Sequence, residues 1–205
     1  MNEFGFIGDI HGCVEELEEV VRQASERASR LVFLGDYLNR GRKSREVIEF
    51  LVNLEGSKHT LPCTFLRGHH DEAFLRTLDQ GEFDSFLRMG GAATVASYVP
   101  APKGDVLTQL RTAVPVSHLE FLRGLETNMT HGNSLFASHD RPAKSDIDIS
   151  PYGFCVYGHS PQLSLMPTIR DTEAFVDTGC GTIPGGRLTC LFWPTLEWIQ
   201  SKPVR

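Results

Sequence analysis

Met1-Asn2-Glu3-Phe4-Gly5-Phe6-Ile7-Gly8-Asp9-Ile10-His11-Gly12 opens with a short apolar run, residues 4–7, that stops at a glycine. Asp9 and His11 follow, two residues apart. On extended backbone, residues two apart point to the same side. A carboxylate and an imidazole at the mouth of a buried strand can begin a divalent metal site. A polar turn after a strand leaves the same pattern, so the rest of the chain has to decide.

Outward from this stretch, apolar positions 14, 17, 20, 21, 24 and 28 repeat at the spacing of one helix face, predicting a helix over 13–28. Residues 31–34 are an apolar run of the kind buried parallel strands show, and they end in Gly35-Asp36. A second helix is predicted over 44–54, and a third strand over 63–66 ends in Arg67-Gly68-His69-His70-Asp71. Strand and helix alternating in this way imply an α/β architecture, with ligands gathered at the carboxyl ends of the strands. Residues 71–124 are helical in pattern, broken at Gly81, Gly90-Gly91 and 100–104, and read as a cap over one edge of the site. Strands at 126–130 and 134–138 flank a hairpin turn at His131-Gly132-Asn133. Another strand, 154–157, ends in Gly158-His159-Ser160, and 173–177, 188–193 and 196–200 are expected to close the chain as a β meander. Residues 140–151 are polar and read as a loop.

With 205 residues the chain suits one domain, taken as 1–205. A hydrophobic content of 40% and a charged content of 22% are ordinary for a soluble globular protein. The net charge of −6 gives no basic footprint for nucleic acid or an anionic membrane. No apolar stretch approaches the roughly 20 residues that span a bilayer. No basic and apolar leader is visible at the N-terminus. Five cysteines, odd in number and without a CxxC pair, fit reduced thiols in a cytoplasm better than a disulfide framework.

Metal-type side chains sit at five strand ends: Asp9 with His11, Asp36, His69 with His70, His139, and His159. Five of the chain's eight histidines lie in these junctions, which scatter alone does not explain. Gly8-Asp9-Ile10-His11-Gly12, Gly35-Asp36-Tyr37-Leu38-Asn39-Arg40-Gly41 and Arg67-Gly68-His69-His70-Asp71 resemble the signature blocks of the phosphoprotein phosphatase family of calcineurin-like metallophosphoesterases. The likeness is to its bacterial and phage-type serine/threonine phosphatases and symmetrical diadenosine tetraphosphatases. Gly90-Gly91-Ala92-Ala93-Thr94-Val95-Ala96-Ser97-Tyr98, His139, Gly158-His159-Ser160-Pro161, and Asp177-Thr178-Gly179 with Gly185-Gly186-Arg187-Leu188-Thr189 agree in order.

The resemblance implies a four-layer α/β/β/α sandwich of two mixed sheets with a helical cap, carrying two divalent metals, with manganese, iron or zinc expected. By the same resemblance Asp9 and His11 hold the first metal, Asp36 bridges, and His69, His139 and His159 complete the second. Arg40 and Arg67 hold the substrate phosphate, and His70 is the acid near the leaving oxygen, paired with the residue at 39. Two ions about 3.5–4 Å apart can activate a shared hydroxide and aim it in line at phosphorus. Arginine forks match phosphate oxygens, and an imidazole can protonate a departing alkoxide.

Three positions depart from the family pattern. His69 replaces the usual Asn; it either ligates the second metal or points elsewhere and leaves that site weak. Asn39 replaces the usual Asp; it can accept a hydrogen bond from the His70 ring but cannot stabilise its charge. The block at Ser138-His139-Asp140 is degraded, leaving Arg141 as a candidate for the missing phosphate contact. The leading expectation is a phosphoesterase acting on phosphate monoesters of proteins or small molecules. The alternatives are a nucleotide or dinucleoside polyphosphate hydrolase, and a weakened relative that binds phosphate ligands or a protein partner.

Overall fold

The computed structural model describes residues 3–57 and 61–204. In chain order the elements are β1 (Phe4–Ile7), α1 (Val14–Ser25), β2 (Arg30–Phe33), α2 (Ser44–Gly56), β3 (Cys63–Phe65) and α3 (His69–Gln80). Then come α4 (Phe83–Phe86), a π turn (Leu87–Gly91), α5 (Ala92–Tyr98), α6 (Val106–Ala113) and α7 (Val116–Gly124). The second half is β4 (Asn128–His131), β5 (Leu135–Ser138), β6 (Phe154–Tyr157), β7 (Thr168–Ile169), β8 (Glu173–Phe175), β9 (Thr189–Trp193) and β10 (Trp198–Gln200).

The strands form two mixed sheets, ordered β10-β9-β1-β2-β3 and β4-β5-β6-β8-β7. Side-chain alternation along each strand builds two cores. Phe6, Val32, Leu34 and Leu191 face the second sheet and meet Leu135, Ala137, Val156 and Ala174. Ile7, Leu31, Phe33 and Phe192 face the other way, onto Leu17, Val20, Ile48, Leu51 and Phe74 of the helices. Runs buried on both faces are what the short, wholly apolar strands of the sequence require. The fold class is thus the expected sandwich of two mixed sheets with helices packed on it. Phe136, Cys155 and Tyr157 on the outer face of the second sheet are covered by Ile147, Ile149 and Tyr152 of the loop after β5.

The expected closing meander is corrected. β8 pairs with β6 and β7 in the second sheet, whereas β9 pairs antiparallel with β1 in the first. Sequence adjacency suggested one ribbon, but β9 is apolar on both faces and needs a place inside a sheet, beside β1. Only its hairpin with β10 survives from the meander. The two-residue β7 lies below what periodicity can register. The β4–β5 hairpin holds, with His131 opposite Leu135. Among the described residues no helix is long and apolar enough to cross a membrane. All five cysteines are free thiols.

Candidate metal centre and phosphate site

The loops after β1, β2, β3, β5 and β6 converge on one end of the sandwich. The turn after β1 is not extended: His11 has φ 45°, so Asp9 and His11 are not set side by side by strand geometry. Instead the His11 and Ile10 N–H groups donate to the Asp36 carbonyl, docking the first loop on the second. Asp36 itself has φ 54°. Its Oδ1 accepts from the His70 N–H at 2.9 Å, so the carboxylate caps the start of α3. Gly68 makes that approach possible, because a Cβ there would lie 2.1 Å from Asp36 Oδ1 and 2.2 Å from its nitrogen. His69 and His70 therefore sit in the first helical turn, two residues earlier than the sequence placed the helix.

Asp36 Oδ2 is buried and makes no hydrogen bond. Four imidazole nitrogens surround it: His69 Nδ1 at 3.1 Å, His139 Nε2 at 3.4 Å, His11 Nε2 at 3.8 Å and His70 Nε2 at 3.9 Å. His159 Nδ1 joins them, 3.2 Å from both His69 Nδ1 and His139 Nε2. Two of these rings are oriented from behind. His139 Nδ1–H donates to the Leu34 carbonyl at 3.0 Å and His11 Nδ1–H to the Leu38 carbonyl at 2.9 Å. Each leaves an Nε2 lone pair aimed inward, the arrangement that carries metal-ligating histidines. An orphaned carboxylate oxygen facing converged ring nitrogens fits a divalent cation of the borderline type. Burial pushes His11 down to about 4, so its ring is available as a neutral ligand. Asp9 lies 3.9 Å from His11 Nε2, and burial together with neighbouring Asp177 pushes its carboxyl up.

His70 has a different surrounding. Its Nδ1 is 2.7 Å from Asn39 Nδ2, and Asn39 Oδ1 accepts from the Thr94 hydroxyl at 2.8 Å. The Asn39 backbone N–H donates to both Ser44 Oγ and Thr94 Oγ1, which stand 2.9 Å apart. Asn39 is thus held from behind and in turn holds the His70 ring. Burial pushes His70 down to about 3, so the ring is neutral.

Arg40 brings Nη2 to 3.4 Å from His70 Nε2. Its backbone N–H donates to the Gly90 carbonyl at 3.2 Å, so the π turn of the helical region holds this arginine. Arg67 Nη2 donates to the Arg123 and Leu125 carbonyls at the end of α7, and its Nε is buried without a hydrogen-bond partner among the described residues. Arg141 is ion-paired with Glu173 at 3.4 Å and exposed. Sequence reasoning gave no role to Asp71, Thr94 or Asp177. Asp71 accepts from the Asp36, Tyr37 and Gly68 N–H groups, tying two loops together. Asp177 is buried beside Asp9 with Oδ2 unpartnered. All three stand inside quoted motif blocks, which was the available signal.

Residues 3–174 match the calcineurin-like phosphoesterase family. The chain belongs to that family. A bis(5'-nucleosyl)-tetraphosphatase PrpE [asymmetrical] of Halalkalibacterium halodurans is 25% identical over 99% of this chain and 94% of that protein. A symmetrical bis(5'-nucleosyl)-tetraphosphatase of Pseudomonas putida is 25% identical over 76% of this chain and 54% of its own length. Among solved structures, a protein serine/threonine phosphatase from Saccharomyces cerevisiae superimposes with a TM-score of 0.60 at 10% identity, covering 100% of this chain and 81% of that one. This calcineurin-like chain is thus a metallophosphoesterase, a hydrolase with the family's sandwich fold.

Proposed function

We propose that the protein hydrolyses phosphoanhydride bonds in nucleotide polyphosphates of the dinucleoside tetraphosphate kind. The observation that carries this reading is the hydrogen-bond chain running from Ser44 to His70. A carboxylate at position 39 would hold the His70 ring as imidazolium, the form that hands a proton to a departing alkoxide. The neutral amide of Asn39 supplies no such charge, and the neutral ring is a poor acid. A phosphate leaving group needs no more. The name of the Halalkalibacterium relative, matched along nearly the whole chain, supports the same substrate class.

Asp9, His11 and Asp36 would hold one divalent ion, and Asp36, His69, His139 and His159 a second, of which manganese, iron and zinc suit the nitrogen-rich donors best. Such ions supply Lewis-acid charge and an activated water. The chain's own residues do the rest. Arg40 lays its guanidinium on non-bridging phosphate oxygens. Asp36 keeps one oxygen on α3 and the other free for the centre. His70 orients the leaving oxygen. Free thiols and a nucleotide substrate agree with a cytoplasmic setting.

The test compares kcat/KM of the manganese-loaded protein for bis(5'-adenosyl) tetraphosphate, nitrophenyl phosphate and a phosphoseryl peptide. The tetraphosphate is expected to be the best substrate and the seryl ester the worst. Faster turnover of the phosphoseryl peptide than of the tetraphosphate would overturn the reading.

A further inference from the structure

We infer that the cavity between α1 and the loop 40–43 is the subsite for the nucleotide portion of the substrate that extends beyond the reacting phosphate. This rests on the reading of the site as a nucleotide polyphosphate hydrolase. The cavity has a volume of about 880 Å³ and shares Arg40 with the phosphate site. That volume lies within the range of small-molecule sites, roughly 300–1,000 Å³. It is too small for a folded partner and ample for one nucleotide.

Its two ends differ in chemistry. Gly12, which follows His11, lines it with Arg40 and Arg42 of the loop, and Glu15 and Glu16 in the first turn of α1 line it as well. The Arg42 guanidinium is exposed and, among the described residues, has no ion-pair or hydrogen-bond partner. Lys43, by contrast, is already committed to Glu15. Arg40, beside His70, and Arg42 thus offer two cations from one loop to the same cavity, a pattern that suits consecutive phosphates of one chain. Glu19, Lys202, Pro203 and Val204 also line the cavity. Glu19 lies five residues into α1 from Val14, about 8 Å further along the helix axis. It is joined to the C-terminal segment, its Oε2 accepting from the Lys202 N–H at 3.1 Å. This outer end, with apolar Pro203 and Val204 beside a carboxylate, suits a nucleoside: a base against apolar surface and hydroxyls near an acceptor. A nucleoside phosphate would therefore lie with its phosphates inward and its base outward.

The frame of the cavity is rigid where it meets the centre. A Cβ on Gly41 would lie 2.1 Å from the His11 carbonyl, and one on Gly12 would lie 2.6 Å from the Gly41 carbonyl. The loop that carries Arg40 and Arg42 is thus locked backbone to backbone against the loop that carries His11. Binding in the cavity and chemistry at the centre share one fixed register.

The experiment measures the KM of wild type and Arg42→Ala for bis(5'-adenosyl) tetraphosphate and for nitrophenyl phosphate, which is too small to reach Arg42. A charge-assisted hydrogen bond to phosphate is worth enough that its loss is expected to raise the tetraphosphate KM about tenfold. The nitrophenyl phosphate KM should stay unchanged. Equal tetraphosphate KM values in the two proteins would overturn the subsite while leaving the proposed function standing. Calorimetric titration with ADP separates the remaining case, in which wild type does not hydrolyse the tetraphosphate and the functional reading itself fails. ADP binding weakened about tenfold in Arg42→Ala would then still support the subsite. Equal ADP affinity in both proteins would overturn it.

Discussion

Among the described residues, five of the seven non-glycine residues with positive φ are His11, Asp36, Asn39, Arg40 and His159, all of them candidate site residues. Left-handed backbone costs a non-glycine residue on the order of 1–3 kcal/mol and persists where the surroundings over-determine it. Here the strain brings ring and carboxylate atoms to a common point that an extended strand end could not reach. Asn39 is one of these residues, and its amide decides what His70 can do. Asn39→Asp should place a charge-stabilised Nδ1–H on the ring and restore acid catalysis, an effect of roughly 10²-fold or more where the leaving group is basic. Turnover of an alkyl phosphate should rise far more than that of nitrophenyl phosphate; an equal rise in both would show that His70 protonation is not limiting. His69 is tested by metal content. Its Nδ1 stands 3.1 Å from both Asp36 Oδ2 and His139 Nε2, so His69→Ala should lose about one equivalent of bound metal and His69→Asn should recover most of it. Unchanged metal in the alanine protein, read by elemental analysis, would place His69 outside the centre.

The first turn of α3 joins stability to the site, because it presents His69 and His70 while Asp36 caps it. Gly68→Ala would drive a methyl group into the Asp36 backbone, 2.2 Å from its nitrogen. The loop must then shift, at a cost of about 1–3 kcal/mol. Thermal unfolding should register that loss, and metal affinity should fall with it; a variant with wild-type melting temperature and metal content would show that the two loops are not so tightly coupled. This junction also marks how far the sequence could be read. The strands that end in Gly8, Gly35 and Arg67 were legible because apolar runs stop abruptly at glycine or arginine, and the histidines after them were legible by position. The helix start at His69 was not, since its cap is a carboxylate from a different strand end. Nor was the clamp on Asn39 by Ser44 and Thr94, the latter 55 residues away in the chain. Long-range hydrogen bonds leave no periodic trace.

Across the whole molecule, the sheet-to-sheet core sets the distance between the loops that carry Asp9 and Asp36 and those that carry His139 and His159. Leu191 is fully buried in that core. Leu191→Ala should cost about 2–5 kcal/mol. Denaturant titration should show the midpoint falling with little change in slope; a loss below about 1 kcal/mol would mean that the two sheets repack freely. The pairing of β9 with β1 also governs the order of events during synthesis. β1 leaves the ribosome well before β9, and one of its edges stays bare until residues 189–193 have emerged. Such non-local pairings form late. His159 also follows long after Asp9 and His11 in the chain. The nascent protein therefore holds Asp9 and His11 apart from His159 until that residue has emerged, and full loading of the centre waits for it.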